Sequence, residues 1–400
     1  MSLKISRIVN GLQPSATLAM SAKAKELKAV GKTVYDLSVG EPDFKTPAHI
    51  CAVAAAVMQL GRTHYTVASG LPELKKAVAE SYQNQYGFEY SPSQIVIANG
   101  AKHAIHNSLT ATLDPGDEVI IPAPYWVSYA ELVKLTGAVP VVVQTEESND
   151  FKIKPEQLAA AITPQTRMFL LCSPSNPTGC VYSPDELKTL AEIVVKNDLM
   201  VLSDEIYDQL IYSGVAFASF PTLLPDLHER TILINGVSKT YAMTGWRIGW
   251  SISPPDVAKK IGELQSQETS NPCSISQYAA IEALTGDQTC VAEMRAEFEK
   301  RRNYVQRRLA EIPDVTFPKI GGAFYAFFNI KPYLGRKYGG VTIDTSEQWC
   351  LELLTQKNVA TVMGSSFGTE GYVRASFAAN DTILENAFDR IRDFLVEAKS

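Results

Sequence analysis

The run "NGVSKTYAMTGWRIGW" (235–250) sets Lys239 among small and apolar residues, with Arg247 between Trp246 and Ile248. A lysine in such company is almost never fully buried unless it is paired or covalently engaged. Other apolar runs also end in polar groups. "LMVLS" leads to Asp204 in "SDEIYDQL", with Tyr207 three residues on, and "RMFLLC" leads to "SPSNPTG" (173–179), which holds Asn176. "QIVIA" leads to "NGAKHA", a small-residue turn at Gly100, Ala101 and Lys102 that opens a helix. Taken singly, each feature has an ordinary structural reading. Asp204 suits a helix N-cap, Asn176 a turn that bonds its own backbone, and the glycine a strand-to-helix connection.

Taken together, they offer a helix N-terminus for an anion, an amide, a carboxylate with a phenol, and a lysine. That set suits pyridoxal phosphate, which needs a lysine for a Schiff base and a carboxylate to keep its pyridine nitrogen protonated. Its phosphate needs N–H groups and a guanidinium. Other cofactor chemistries lack their signatures. No GxGxxG follows a strand and no GxxxxGK[ST] is present. The five histidines form no ligand cluster: His103 and His106 share a helix face without an evident third ligand, so no metal is expected.

The elements that must position these groups are legible between about residues 95 and 255. Short β-rich runs recur there with amphipathic helices between many of them: "QIVIANG", "DEVIIPAP", "AVPVVVQT", "RMFLLCSP", "LMVLSDE", "TILINGVS" and "RIGWSIS". Such alternation predicts an α/β fold with a mainly parallel, mixed sheet flanked by helices, whose ligands lie at the carboxyl ends of the strands. "SPDELKTLAEIVVKND" (183–198) reads as one covering helix, with Ser183 as N-cap, Pro184 in the first turn, and Leu187, Leu190, Ile193 and Val194 on one stripe. Past about residue 290 a long charged helix, the short strands "AFYAFFNI" and "YVRASFA" and a closing helix from about 381 predict a smaller α+β domain. The N-terminal segment is expected to pack on it. The division is therefore a large cofactor-binding domain at 46–288 and a discontinuous small domain at 1–45 and 289–400. "KPYLGRKYGGVTIDT" (331–345) reads as a mobile surface loop.

At 400 residues and 46% hydrophobic composition the chain can bury a large core. A net charge of −6 gives no basic stripe for nucleic acid or membrane. The first twenty residues lack the continuous apolar stretch of a signal peptide, and "CAVAAAVMQL" (51–60) is too short to span a bilayer. Six cysteines form no CxxC pair, so reduced thiols and a cytoplasmic location are expected.

"SPSNPTG", "SDEIY" and "SKTYAMTGWRIG", in this order, resemble the fold-type I, class I aminotransferases, and most closely the bacterial aspartate aminotransferase subgroup Ib. The likeness extends from "QPSATLAM" and "VGEPDFKTP" through "HYTVASGLPELKKA" and "PAPYWVSY" to "GAFYAF" and "YVRASFA". It implies a pyridoxal-phosphate transaminase working by a ping-pong cycle. In that reading Lys239 forms the internal aldimine and moves the proton between the substrate Cα and the cofactor. Asp204 pairs with the pyridine nitrogen, and Tyr207 and Asn176 hold the ring oxygen. The phosphate rests on Gly100, Ala101, Lys102 and Arg247, and on Tyr65 from a neighbouring subunit, which implies a homodimer with shared sites. Trp126 stacks on the ring, while Gly40 and Arg374 hold the substrate α-carboxylate. Many relatives carry a serine where this chain has Gly236, so Ser238 is the remaining serine candidate for the phosphate.

Lys102 matches a lysine that the subgroup associates with the distal carboxylate of acidic substrates, which favours aspartate or glutamate as amino donor. The resemblance leaves aromatic, alanine or prephenate transamination open on the same scaffold. Gln13, where prephenate-accepting members often carry a basic residue, argues against the last. An elimination or lyase reaction and a cofactor-binding regulatory module are more distant alternatives; the regulatory module would need a basic helix pair that the sequence lacks.

Overall fold

The computed structural model describes residues 3–397. All seven β-rich runs form strands of one sheet: β1 (Ile95–Ala98), β2 (Glu118–Ala123), β3 (Val139–Gln144), β4 (Thr166–Cys172), β5 (Met200–Asp204), β6 (Thr231–Gly236) and β7 (Gly249–Ile252). Their spatial order is β1-β7-β6-β5-β4-β2-β3. The pairs among β2 to β6 are parallel, whereas β7 runs antiparallel to both β6 and β1. Helices on both faces leave no solvated side for much of this sheet, which is why strands such as "IVIA" and "TILING" are apolar and buried throughout rather than alternating.

Register brings the polar strand ends to one edge. Cys172 lies opposite Asp204, Asp204 opposite Ile234, and Gly236 opposite Gly249. Among the helices flanking the sheet are α1 (Ala101–Thr112), α2 (Pro184–Lys196) and α3 (Pro255–Glu268). α2 begins as its sequence requires. Ser183 Oγ accepts the Glu186 N–H, Glu186 returns a carboxylate oxygen to the Ser183 N–H at 2.7 Å, and Pro184 sits in the first turn. Its buried stripe is Leu187, Leu190, Ala191 and Val194. Ile193 is only half-buried, because at 3.6 residues per turn it falls at the edge of this stripe, opposite the edge that Ala191 fills.

Two further groups of strands lie apart from this sheet. Tyr372–Ser376 is the central strand of a three-stranded antiparallel sheet between Val362–Met363 and Tyr325–Asn329. Tyr35–Asp36 pairs in parallel with Val359–Ala360, which ties the N-terminal segment to the C-terminal elements. The helices Thr289–Ala310 and Asp381–Val396 and the largest apolar cluster join them, with Trp349, Phe328 and Phe394 at its centre.

The segment 331–345 is not an irregular loop. Arg336–Tyr338 and Val341–Ile343 form a hairpin closed by Gly339 and Gly340, both with positive φ, and Tyr338 is buried against Phe394 with ring centroids 4.5 Å apart. A two-residue Gly-Gly turn between short alternating runs is a hairpin signal that glycine and lysine content alone obscures. No helix among the described residues is long and apolar enough to cross a membrane.

Candidate active site

The carboxyl edge of the sheet faces a cavity of about 300 Å³. Lys239, Asp204, Tyr207, Asn176, Ser238, Arg247, Ala101, Lys102, Trp126, Gly40 and Arg374 all line it, so most of the residues singled out by sequence meet in one place. Gly100 and Tyr65 do not line it. Gly100 (φ +86°) acts through what it lacks: a Cβ there would collide with Arg247 Nη2. Tyr65 is 90% exposed and does not reach the cavity of its own chain.

Asp204 is buried at the end of β5. One carboxylate oxygen accepts the Ile206 N–H at 3.2 Å, as a turn-capping aspartate would, and the other accepts the Tyr129 hydroxyl at 2.5 Å. The structural and chemical readings of this residue thus coexist. Burial pushes its carboxyl up to about 6, against the opposing pull of Tyr129, the Ile206 N–H and the Lys239 charge.

Lys239 follows β6 and donates its ammonium to the Gly40 carbonyl at 2.6 Å. Burial lowers its amine to about 8; Glu41 pulls the other way, while Arg247 and Arg374 reinforce the lowering. Such an amine is partly neutral near physiological pH and therefore available as base or nucleophile.

Arg247 is exposed at the mouth, in the left-handed region at φ 56°. Its Nη1 donates to the Thr244 carbonyl at 2.8 Å and its Nη2 to the Asn99 carbonyl at 3.3 Å. Beside it the first N–H groups of α1 have no acceptor within the helix. Lys102 places its Nζ 4.9 Å from the centre of the Trp126 ring. Gly236 is close-packed, since a Cβ there would meet Gly249 Cα and Ile248 O at 2.8 Å. That contact leaves no room for a serine side chain at this position in this chain. Ser238 lines the cavity, as do Ser15 and Ser128.

At the other end, Arg374 is 1% exposed although it belongs to the central strand Tyr372–Ser376. Nη1 donates to Asn176 Oδ1 at 3.0 Å and Nη2 to the Ser38 carbonyl at 2.5 Å, with the Tyr325 ring centre 4.6 Å away. Its Nε has no acceptor, so the guanidinium retains donors for a carboxylate.

Three contributors escaped sequence reasoning. Tyr129 bonds Asp204, Tyr325 bonds the Tyr207 hydroxyl at 2.8 Å, and Glu41 accepts from the Thr244 hydroxyl. Each lies inside a stretch that carries the family likeness, "PAPYWVSY", "GAFYAF" and "VGEPDFKTP", so the signal was position within those motifs. His103 and His106 do share a third residue, Glu268, at 3.3 Å from each imidazole. No group of metal-ligating side chains occurs among the described residues.

The donor set fits a phosphorylated aromatic aldehyde. The cleared space at Gly100, the free N–H groups and Arg247 suit its phosphate, buried Asp204 suits a ring nitrogen, and Lys239 suits the carbonyl carbon. The comparisons point the same way. An aspartate aminotransferase from Geobacillus stearothermophilus is 47% identical over 98% of this chain and 99% of its own. An aspartate/prephenate aminotransferase from Cereibacter sphaeroides is 45% identical over 96% of each. The crystal structure of the aspartate aminotransferase from Rhizobium meliloti superposes with a TM-score of 0.96 at 39% identity, covering 100% of both chains. The fold is that of the fold-type I transferases. With the model for aminotransferase class I and II matching residues 32–391, the chain belongs to that family of transaminating enzymes.

Proposed function

We propose that this chain moves the amino group of L-aspartate or L-glutamate to a 2-oxo acid, with pyridoxal 5'-phosphate held in the cavity. The observation that carries the reading is the meeting of Lys239, Asp204 and Arg374 in one cavity. The cofactor, when bound, supplies an electron sink that acidifies the substrate Cα–H.

The chain's residues do the rest. Arg374 takes the α-carboxylate with its planar fork, beside Asn176 and the backbone at Gly40. Lys239 Nζ would hold the cofactor's carbonyl carbon at rest and, once free, would remove the Cα proton and deliver it to that same cofactor carbon. Asp204, kept in place by Tyr129, holds the proton of the ring nitrogen. Tyr207 and Asn176 orient the ring oxygen, and Trp126 covers the ring face. The α1 N-terminus at Gly100, Ala101 and Lys102, with Ser238 and Arg247, holds the phosphate. Lys102 is the cation for a distal carboxylate, a reading supported by the names of the relatives. Prephenate as acceptor is a second reading. The Cereibacter relative's name favours it, and Gln13, exposed and outside the cavity lining, offers it no charge.

The active form is a homodimer in which the partner's Tyr65 completes the phosphate site; the exposure of this tyrosine and its absence from its own cavity support this. Residues 46–288 make the cofactor domain, and 1–45 with 289–400 the small one, in keeping with the Tyr35–Asp36 pairing to Val359–Ala360. Six free thiols suit a reducing cytoplasm.

The test is to add L-aspartate, without any oxo acid, to the holoprotein and follow the cofactor absorbance. Conversion to the amine form supports both transamination and acidic-donor recognition. A response only to aromatic or small apolar amino acids would remove the assignment of Lys102 and leave the cofactor chemistry standing.

A further inference from the structure

Asn99, between β1 and α1, is held through three of its polar groups. Its side-chain amide donates to Thr269 Oγ1 at 3.1 Å, and its carbonyl accepts Arg247 Nη2 at 3.3 Å. Its backbone N–H donates to His103 Nδ1 at 3.2 Å. This last bond fixes the imidazole chemically. Nδ1 must be the bare, accepting nitrogen, so Nε2 carries the hydrogen and faces Glu268 Oε2 at 3.3 Å.

We propose that His103 is a positioning residue for the anion-binding turn: in its neutral form it anchors Asn99, and through Asn99 the start of α1 and the Arg247 guanidinium. This rests on the reading of that turn as the phosphate site. Protonation at Nδ1 would set two donors against each other, release the Asn99 N–H, and loosen both halves of the cradle together.

The surroundings favour the neutral ring at ordinary pH. Burial lowers the imidazole below its usual range, opposed by the hydrogen bond and charge of Glu268 and aided by His106. Glu268 faces it from α3 and His106 from its own helix, where both imidazoles share the one carboxylate. Strands β1, β6 and β7, on the opposite side of α1, carry no titratable side chain. Lys260 and Glu263 of α3 pair with each other, as do Glu131 and Lys134 of Ser128–Leu135.

Equilibrium binding of pyridoxal phosphate to the full-length chain between pH 5 and 8 tests this, using wild type, His103→Asn and His103→Leu. Asparagine offers an acceptor where Nδ1 stands but does not titrate; leucine offers none. The phosphate's own ionisation affects all three alike, so the differences between them carry the result. His103→Leu should bind about tenfold more weakly at pH 7.5, the equivalent of one lost hydrogen bond of about 1.4 kcal/mol. His103→Asn should bind as wild type does at pH 7.5 and escape the additional loss, up to about tenfold, that wild type shows as pH falls toward 5. Wild-type affinity in His103→Leu, or an unchanged acid loss in His103→Asn, would overturn the inference while the cofactor assignment stood. A wild-type chain that binds no pyridoxal phosphate would overturn both.

Discussion

Tyr129 gives its phenolic hydrogen to Asp204 over 2.5 Å, inside a region where neither side chain meets bulk water. The bond favours the ionised carboxylate against the burial that pushes Asp204 up to about 6. Tyr129→Phe removes that support and leaves the packing intact. The acid limb of kcat/KM should move to higher pH and the donor half-reaction should slow by roughly tenfold at pH 7, in line with the loss of one charge-assisted bond of about 1.5 kcal/mol. A pH–rate series with L-aspartate checks this. An acid limb that stays put would detach Tyr129 from the chemistry.

Lys239→Ala should reduce turnover by at least about a thousandfold, the scale on which a positioned acid–base group acts, while the cavity still takes up cofactor. In the wild-type apoprotein, with its amine lowered to about 8, labelling of Lys239 by an acetylating reagent should rise with pH and level off near 8 to 9. A plateau only above pH 10 would mean that the burial effect is not felt.

Arg374→Lys keeps the charge but loses the planar fork, and strands Asn176 Oδ1 or the Ser38 carbonyl. With about 2–3 kcal/mol in bonds to a charged group, kcat/KM for every amino acid should fall roughly 30- to 150-fold. Lys102→Ala should instead penalise only dicarboxylic donors. Steady-state kinetics with aspartate and alanine side by side separates the two.

Glu205 lies beside Asp204 in sequence but points away into the protein. Oε1 accepts from Ser203 Oγ and the Phe220 N–H, both at 2.9 Å, and Oε2 has no partner. Burial raises it to about 8. A carboxyl raised on folding contributes stability that is complete below its unfolded value near 4.5 and is lost as pH climbs through about 8. Glu205→Gln stays neutral, so it should be more stable than wild type at pH 9, by at most a few kcal/mol, and no more stable at pH 5. Denaturant unfolding at both pH values measures the crossing.

The sheet was readable from sequence because its strands are buried on both faces and so appear as continuous apolar runs cut off by polar residues. Those cut-off points also located Asp204, Asn176 and Lys239. Tyr129 and Tyr325 were not readable, since an aromatic residue among apolar neighbours looks like packing until its hydroxyl is seen to have a partner. Arg374 shows the converse. A strand arginine is ordinarily exposed, and only its place in the middle of three strands, beneath Asn176, makes it an inward-facing group. The hairpin at 336–343 was missed because its charged residues mask the burial of Tyr338 and Ile343.

The reversed strand β7 has one more effect. A parallel neighbour would need a long crossover to return to the ligand edge, but here the chain leaves β6 at Gly236 and re-enters the sheet at Gly249 on that same edge. Residues 237–248 are thus a short tether carrying both Lys239 and Arg247. In the proposed reading, the spacing between the covalent handle Lys239 and the ionic one Arg247 is set within a single loop anchored at both feet. Arg374, by contrast, rides on a different sheet. The two ends of the proposed site thus rest on separate sheets, linked across the cavity by the Arg374–Asn176 hydrogen bond.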